Sequence, residues 1–182
     1  MQLTETNTVA RDAYTGASTS VEIDCPEDVT GLERIMLVAQ GDLQRLLSAF
    51  FARTIIIECI YSNTGARGSG ASPDNPIKQA RQVHLKCASR ILCVATSSVT
   101  VTSPECERLL LDEKFALGQI FRHLRRYPEF SLLDVGARVV DGKRELRRTY
   151  RLETEGIMCE ILEVFPDRDM FSLGEVWLDQ GA

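Results

Sequence analysis

The chain has 182 residues, 44% of them hydrophobic and 26% charged, an ordinary globular composition that fits one domain with a substantial core. A formal net charge of −5 argues against general nucleic-acid binding. No apolar run approaches the roughly 18 residues of a membrane span, so neither nucleic acid nor membrane is expected as a partner.

Residues 1–28 are polar, rich in Thr and Ser and without sustained periodicity; they read as a poorly ordered leader, with a single domain over 29–182. No secretory signal is legible in them, which points to a reducing cytoplasm. After Gly41, Asp42 can cap a helix carrying Leu43, Leu46, Leu47 and Phe50. Thr54–Tyr61 is a strand by composition. The Gly, Ser, Asn and Pro content of residues 62–76 predicts a mobile loop, either dispensable or a lid. Arg81–Lys86 alternates, and Ile91–Thr102 reads as a second strand beyond a short turn, together a hairpin. Ser103-Pro104-Glu105 opens a helix with proline just inside the cap, and Phe115–Leu124 marks another amphipathic segment. Arg138–Val140, Leu146–Leu152 and Ile157–Phe165 are strands joined at Asp141-Gly142 and Glu155-Gly156. This order predicts an α+β fold with a mostly antiparallel sheet.

Six cysteines, at 25, 59, 87, 93, 106 and 159, show no CxxC spacing, so neither a zinc site nor a thiol-disulfide motif is expected. Those at 59, 87, 93 and 159 fall in apolar strand-like runs, where free cysteine behaves as a small hydrophobe. The basic stretches Arg122–Arg126 and Lys143–Arg151 read as solvated faces of regular elements. His123 belongs to the first of them, and His84 lies on the strand face opposite Arg81.

The sharpest feature is Met158–Pro166. On a period of two, Cys159, Ile161, Glu163 and Phe165 share one face, with Met158, Glu160, Leu162 and Val164 on the other. Both faces are largely apolar, which places this strand centrally. A carboxylate between Ile161 and Phe165 is costly to bury unless a cation or donor meets it. Glu163 is therefore either a site residue or half of an ion pair that closes the structure. Arg81 shares its parity with Val83 and Leu85, which makes it the available guanidinium for such a carboxylate; the alternative is a strand-end arginine reaching out to water.

Four segments in order, Arg81-Gln-Val-His-Leu85, Ala116-Leu-Gly-Gln119, Leu146–Leu152 and Ile161–Pro166, resemble the chorismate pyruvate-lyase family and its chorismate lyase-like relatives over about residues 30–171. The resemblance implies an antiparallel sheet with helical flaps closing an internal pocket. It also implies cleavage of chorismate to 4-hydroxybenzoate and pyruvate without metal or organic cofactor. By the same resemblance Arg81 holds the ring carboxylate and Glu163 meets the ring hydroxyl. Leu43 and Leu117 line the pocket, and Gly118 allows close helix packing. One departure is Cys93–Val99, where small hydroxylated residues replace a charge common in relatives. Chorismate carries two carboxylates, and Arg148, Arg147 and His84 are the candidates for the second. Two other functions fit the same scaffold: a cyclase or isomerase of an unsaturated polyketide- or terpenoid-type precursor, and a non-catalytic small-molecule-binding domain.

Overall fold

The computed structural model describes residues 8–180. Six strands form one sheet in the order β3-β4-β5-β8-β7-β6, every neighbouring pair antiparallel. They are β3 (Ile56–Thr64), β4 (Ile77–Cys87), β5 (Arg90–Val101), β6 (Glu129–Val140), β7 (Lys143–Thr154) and β8 (Ile157–Phe165). The helices are α1 (Gly31–Leu37), α2 (Leu43–Phe51), α3 (Pro104–Glu107, continuing as a π-helical turn over Arg108–Asp112), α4 (Leu117–Leu124), α5 (Asp169–Leu173) and α6 (Glu175–Asp179). A two-stranded hairpin, β1 (Ala10–Tyr14) and β2 (Thr19–Ile23), precedes them. The α+β class and antiparallel sheet are as the chain's patterning predicts.

β8 lies inside the sheet between β5 and β7, which accounts for its two apolar faces. Its alternation is strict: Cys159, Ile161, Glu163 and Phe165 are buried, while Glu160 is exposed and bonds Arg151 at 3.3 Å. The buried side of the sheet packs under the helices, with Leu85, Leu152, Ile161 and Phe165 in one continuous core.

The register and capping follow local chemistry. Ser103 accepts a hydrogen bond from the Cys106 N–H with Pro104 at the first helical position. Thr30 and Glu33 form a reciprocal box at the start of α1. Arg168, just past β8, grips the same Glu33 through two bonds of 2.6 and 2.7 Å and adds Asp28 at 2.7 Å. That buried cluster ties the first turn of α1 to the end of the central strand. Asp42 stands at the N-cap of α2 but makes no side-chain capping bond.

Three segments depart from expectation. Within the stretch read as a leader, residues 1–7 lie outside the described residues, whereas 10–23 form the β1–β2 hairpin, docked on β6 by the Val9 N–H to Leu132 O bond of 2.8 Å. The alternation of these strands is too short and polar to register as periodicity. β6 begins at Glu129 rather than Arg138, because a bulge between Leu132 and Asp134 shifts the phase of its alternation.

The third departure is the 62–76 segment, which is anchored by hydrogen bonds and does not cover the cavity as a lid. β3 continues through Thr64, and Ala71 is 2% exposed with its N–H on Glu107 Oε2 at 2.7 Å. Arg67 bonds Glu107 at 2.7 Å and Asp112 at 2.9 Å, and Ser72 bridges Asn75. The segment therefore grips α3, and none of its residues lines the cavity described below. Its hydrogen bonds from the Ala71 N–H and from Arg67 lower the pKa of Glu107. A lowered carboxylate pKa means the folded state gains from ionisation above the ordinary carboxylate range and loses that gain as pH falls through the lowered value. Hydrogen exchange is expected to show Ala71 protected at neutral pH. Glu107→Ala should erase that protection at neutral pH, and acidification should erase it in the unaltered protein.

Candidate active site

The site is built on the buried face of the sheet, and strand pairing sets its rows. Glu163 on β8 faces Ala95 on β5 and Arg148 on β7; one row along, Ile161 faces Ser97 and Tyr150. Ser97 in turn faces Arg81 on β4. Two strand spacings and a two-residue offset separate Arg81 from Glu163, roughly 12 Å between Cα atoms. Both side chains line one cavity of about 560 Å³, within the range of small-molecule sites.

Two flaps roof this cavity. The first is the turn from Val38 to Asp42 with the start of α2, which contributes Gly41, Leu43 and Gln44. The second is the start of α4, which contributes Ala116, Leu117, Gly118 and Gln119. They meet at two glycines. A Cβ on Gly118 would stand 2.1 Å from the Gly41 carbonyl oxygen, a contact no side chain can make. Gly118 thus permits the close approach, and Gly41 turns the chain at φ +86°. Leu43 is 3% exposed and points inward, and Leu117 lines the wall opposite the sheet.

Glu163 is 5% exposed and fully engaged. Its Oε2 accepts from Arg148 Nε at 2.7 Å and its Oε1 from the Tyr150 hydroxyl at 2.9 Å. The cation that meets the buried carboxylate is therefore Arg148, not Arg81 as strand parity within the β4–β5 hairpin suggested. Arg148 has no exposed surface; its Nη1 donates to the carbonyls of Leu37 at 2.6 Å and Ala39 at 2.8 Å. Its guanidinium carbon also lies 4.2 Å from the centre of the Tyr150 ring. Burial is the largest single influence and would lower the Arg148 pKa, but Glu163, Tyr150 and Cys93 together outweigh it and the pKa ends raised. Burial, reinforced by Glu163, pushes Tyr150 well up, so Tyr150 remains a hydrogen-bond donor.

Arg81 is different in kind. Half-buried in the cavity, it forms no ion pair with any carboxylate among the described residues, and burial lowers its pKa. A desolvated guanidinium facing apolar walls is a receptor for an anion, and its fork matches a carboxylate. Arg45 and Arg122 also line the cavity but reach solvent at its rim.

Other candidates fall away from the cavity. His84 and Arg147 do not line it, and His123 is exposed with its ring 5.4 Å from Phe115. Cys87, Cys93 and Cys159 are buried as expected, whereas Cys59 is exposed on the edge strand β3. Burial pushes Cys159 up to about 12, so at neutral pH its thiol is protonated and a poor nucleophile. Among the described residues, no three His, Cys, Asp or Glu side chains converge as a metal site, and no helix is long and apolar enough to cross a membrane. The site residues least visible in the sequence are Tyr150 and the committed Arg148; their signal was the parity of Leu146, Arg148, Tyr150 and Leu152, all buried. Comparison of the chain with protein-family models and with curated proteins gave no match.

Proposed function

We propose that this protein is a cofactor-independent lyase that converts chorismate or a close analogue to 4-hydroxybenzoate and pyruvate. The observation that carries the reading is one cavity holding an unpaired guanidinium, Arg81, and a buried carboxylate, Glu163, across apolar walls. Arg81 takes the ring carboxylate and Glu163 faces the hydroxyl end of the ring. In the reaction the ring carbon bearing the hydroxyl loses its proton while its neighbour loses enolpyruvate, which takes up a proton and becomes pyruvate. Aromatisation drives this elimination, so the site needs chiefly to orient the substrate and steer charge.

The test is incubation with chorismate, with 4-hydroxybenzoate followed by chromatography and pyruvate by a coupled dehydrogenase, with and without a chelator. Arg81→Ala should weaken 4-hydroxybenzoate binding by about 1.5–3 kcal/mol, the value of hydrogen bonds to a charged group, or roughly ten- to a hundredfold. Glu163→Gln should depress kcat, since the amide keeps the shape and loses the charge, and it should also lower stability, since the buried Arg148 guanidinium loses its counter-charge. Wild-type kinetics in both variants would remove the pair from the site.

A second reading has its own observation. Arg148 is committed to Glu163, so among the described residues Arg81 is the one unpaired guanidinium away from the cavity rim, and the cavity volume exceeds what a ten-carbon diacid fills. This favours a cyclase or isomerase acting on a larger unsaturated monocarboxylate. Chorismate left intact while a polyketide- or terpenoid-type acid is rearranged would decide for it; binding without turnover of either would make the domain a small-molecule receptor.

A further inference from the structure

We propose that Arg148 is a positioning residue that couples Glu163 to closure of the first flap. This coupling presupposes that the cavity is the ligand site, as proposed above. Helix α1 is held to the sheet at both ends by buried arginines. Arg168 grips Glu33 in its first turn. Arg148 takes the carbonyl of Leu37, the last residue of the helix, and that of Ala39 two residues beyond it, neither of which has a partner within the helix. Two residues beyond Ala39 the chain reaches Gly41, whose carbonyl abuts Gly118.

The same guanidinium that fixes this flap root holds Glu163 through Nε. The planar fork of arginine serves both directions at once, which a point-charge ammonium cannot. Its Nη2 is buried without a partner, so the group rests on the Nε and Nη1 bonds and its stacking on Tyr150. A ligand that draws on the Glu163 carboxylate changes the anchor of Arg148, and Arg148 carries that change to Leu37 and Ala39. Removing the charge of Glu163 leaves a buried guanidinium uncompensated, and an Arg148 side chain that turns away from the sheet gives up the carbonyls of Leu37 and Ala39 with it.

The experiment is hydrogen exchange on the full chain, with and without 4-hydroxybenzoate as the probe, in wild type, Arg148→Lys and Glu163→Gln. The hydrogen-bonded amides on either side of the flap turn, those of Ala39, Arg45 and Leu46, are expected to exchange at least tenfold faster in both variants beyond whatever increase β7 and β8 share. A role confined to filling the core would instead raise exchange across β7 and β8 equally, and that result, or unchanged flap exchange in Glu163→Gln, overturns the coupling. Glu163→Gln is near-isosteric and decides the matter even where Arg148→Lys fails to fold. In wild type the probe should slow flap exchange further; in Arg148→Lys it should still bind through Arg81 without slowing the flap, and leave at least tenfold faster. A probe that binds no variant, wild type included, sinks the site reading, while the ligand-free exchange still decides the coupling.

Discussion

Truncating Arg148 to Ala is expected to lower the free energy of unfolding by about 3–5 kcal/mol, the cost of removing one partner from a buried ion pair. The loss has three parts. Glu163, 5% exposed, would be left without its cation and answered only by the Tyr150 hydroxyl. The carbonyls of Leu37 and Ala39 would lose their donor at the end of α1, and the largest fully buried side chain of the core would leave a void. Replacing both partners, Arg148→Met with Glu163→Leu, should recover the parts due to the unpaired charge and the void, while the carbonyls of Leu37 and Ala39 still lack their donor. Urea denaturation followed by fluorescence of Trp177, the single tryptophan, measures all of these. Equal losses in the single and double variants would show that the pair contributes packing alone.

What could be read from the chain divides by the distance over which the information acts. Period-two parity in β8 put Glu163 inside and Glu160 outside, and parity in β4 put Arg81 with Val83 and Leu85 on the cavity face; the structure has all of these so placed. Turns at Asp141-Gly142 and Glu155-Gly156 and the proline-opened α3 are equally local and equally legible. The identity of the cation at Glu163 was not. Arg148 sits among basic residues that look like a solvated face, and the carbonyls that make it an interior residue lie 111 and 109 positions away. The 62–76 segment fails for the same reason. Its composition states that it is a loop, but Glu107, which fastens it, is 36 residues from Ala71. In β6 the obstacle was local but disguised, since the bulge at Leu132/Asp134 breaks the alternation that would have announced the strand.

Gly118→Ala is expected to force the two flaps apart, at a cost of about 3 kcal/mol, the upper end of the usual range for overpacking. The added Cβ would lie 2.1 Å from the Gly41 oxygen and 3.2 Å from its carbonyl carbon. The obstacle is backbone, so no rotamer change relieves it; either α4 or the Val38–Asp42 turn must shift. The Gly41 turn has little room to shift toward the sheet, since even a Cβ added there would meet Leu152 at 3.2 Å. Relief must therefore come as a gap between the roof elements over the cavity, where Leu43 and Leu117 come from the two sides. A ligand held between Arg81 and Glu163 should consequently leave faster, at least tenfold, while its association changes little, because the groups that recognise it stay on the sheet. Stopped-flow displacement of 4-hydroxybenzoate from wild type and Gly118→Ala separates the two rates. If the variant retains wild-type stability and a wild-type off-rate, the glycine contact does not close the cavity, and its roof must be held by the walls of α2 and α4 instead.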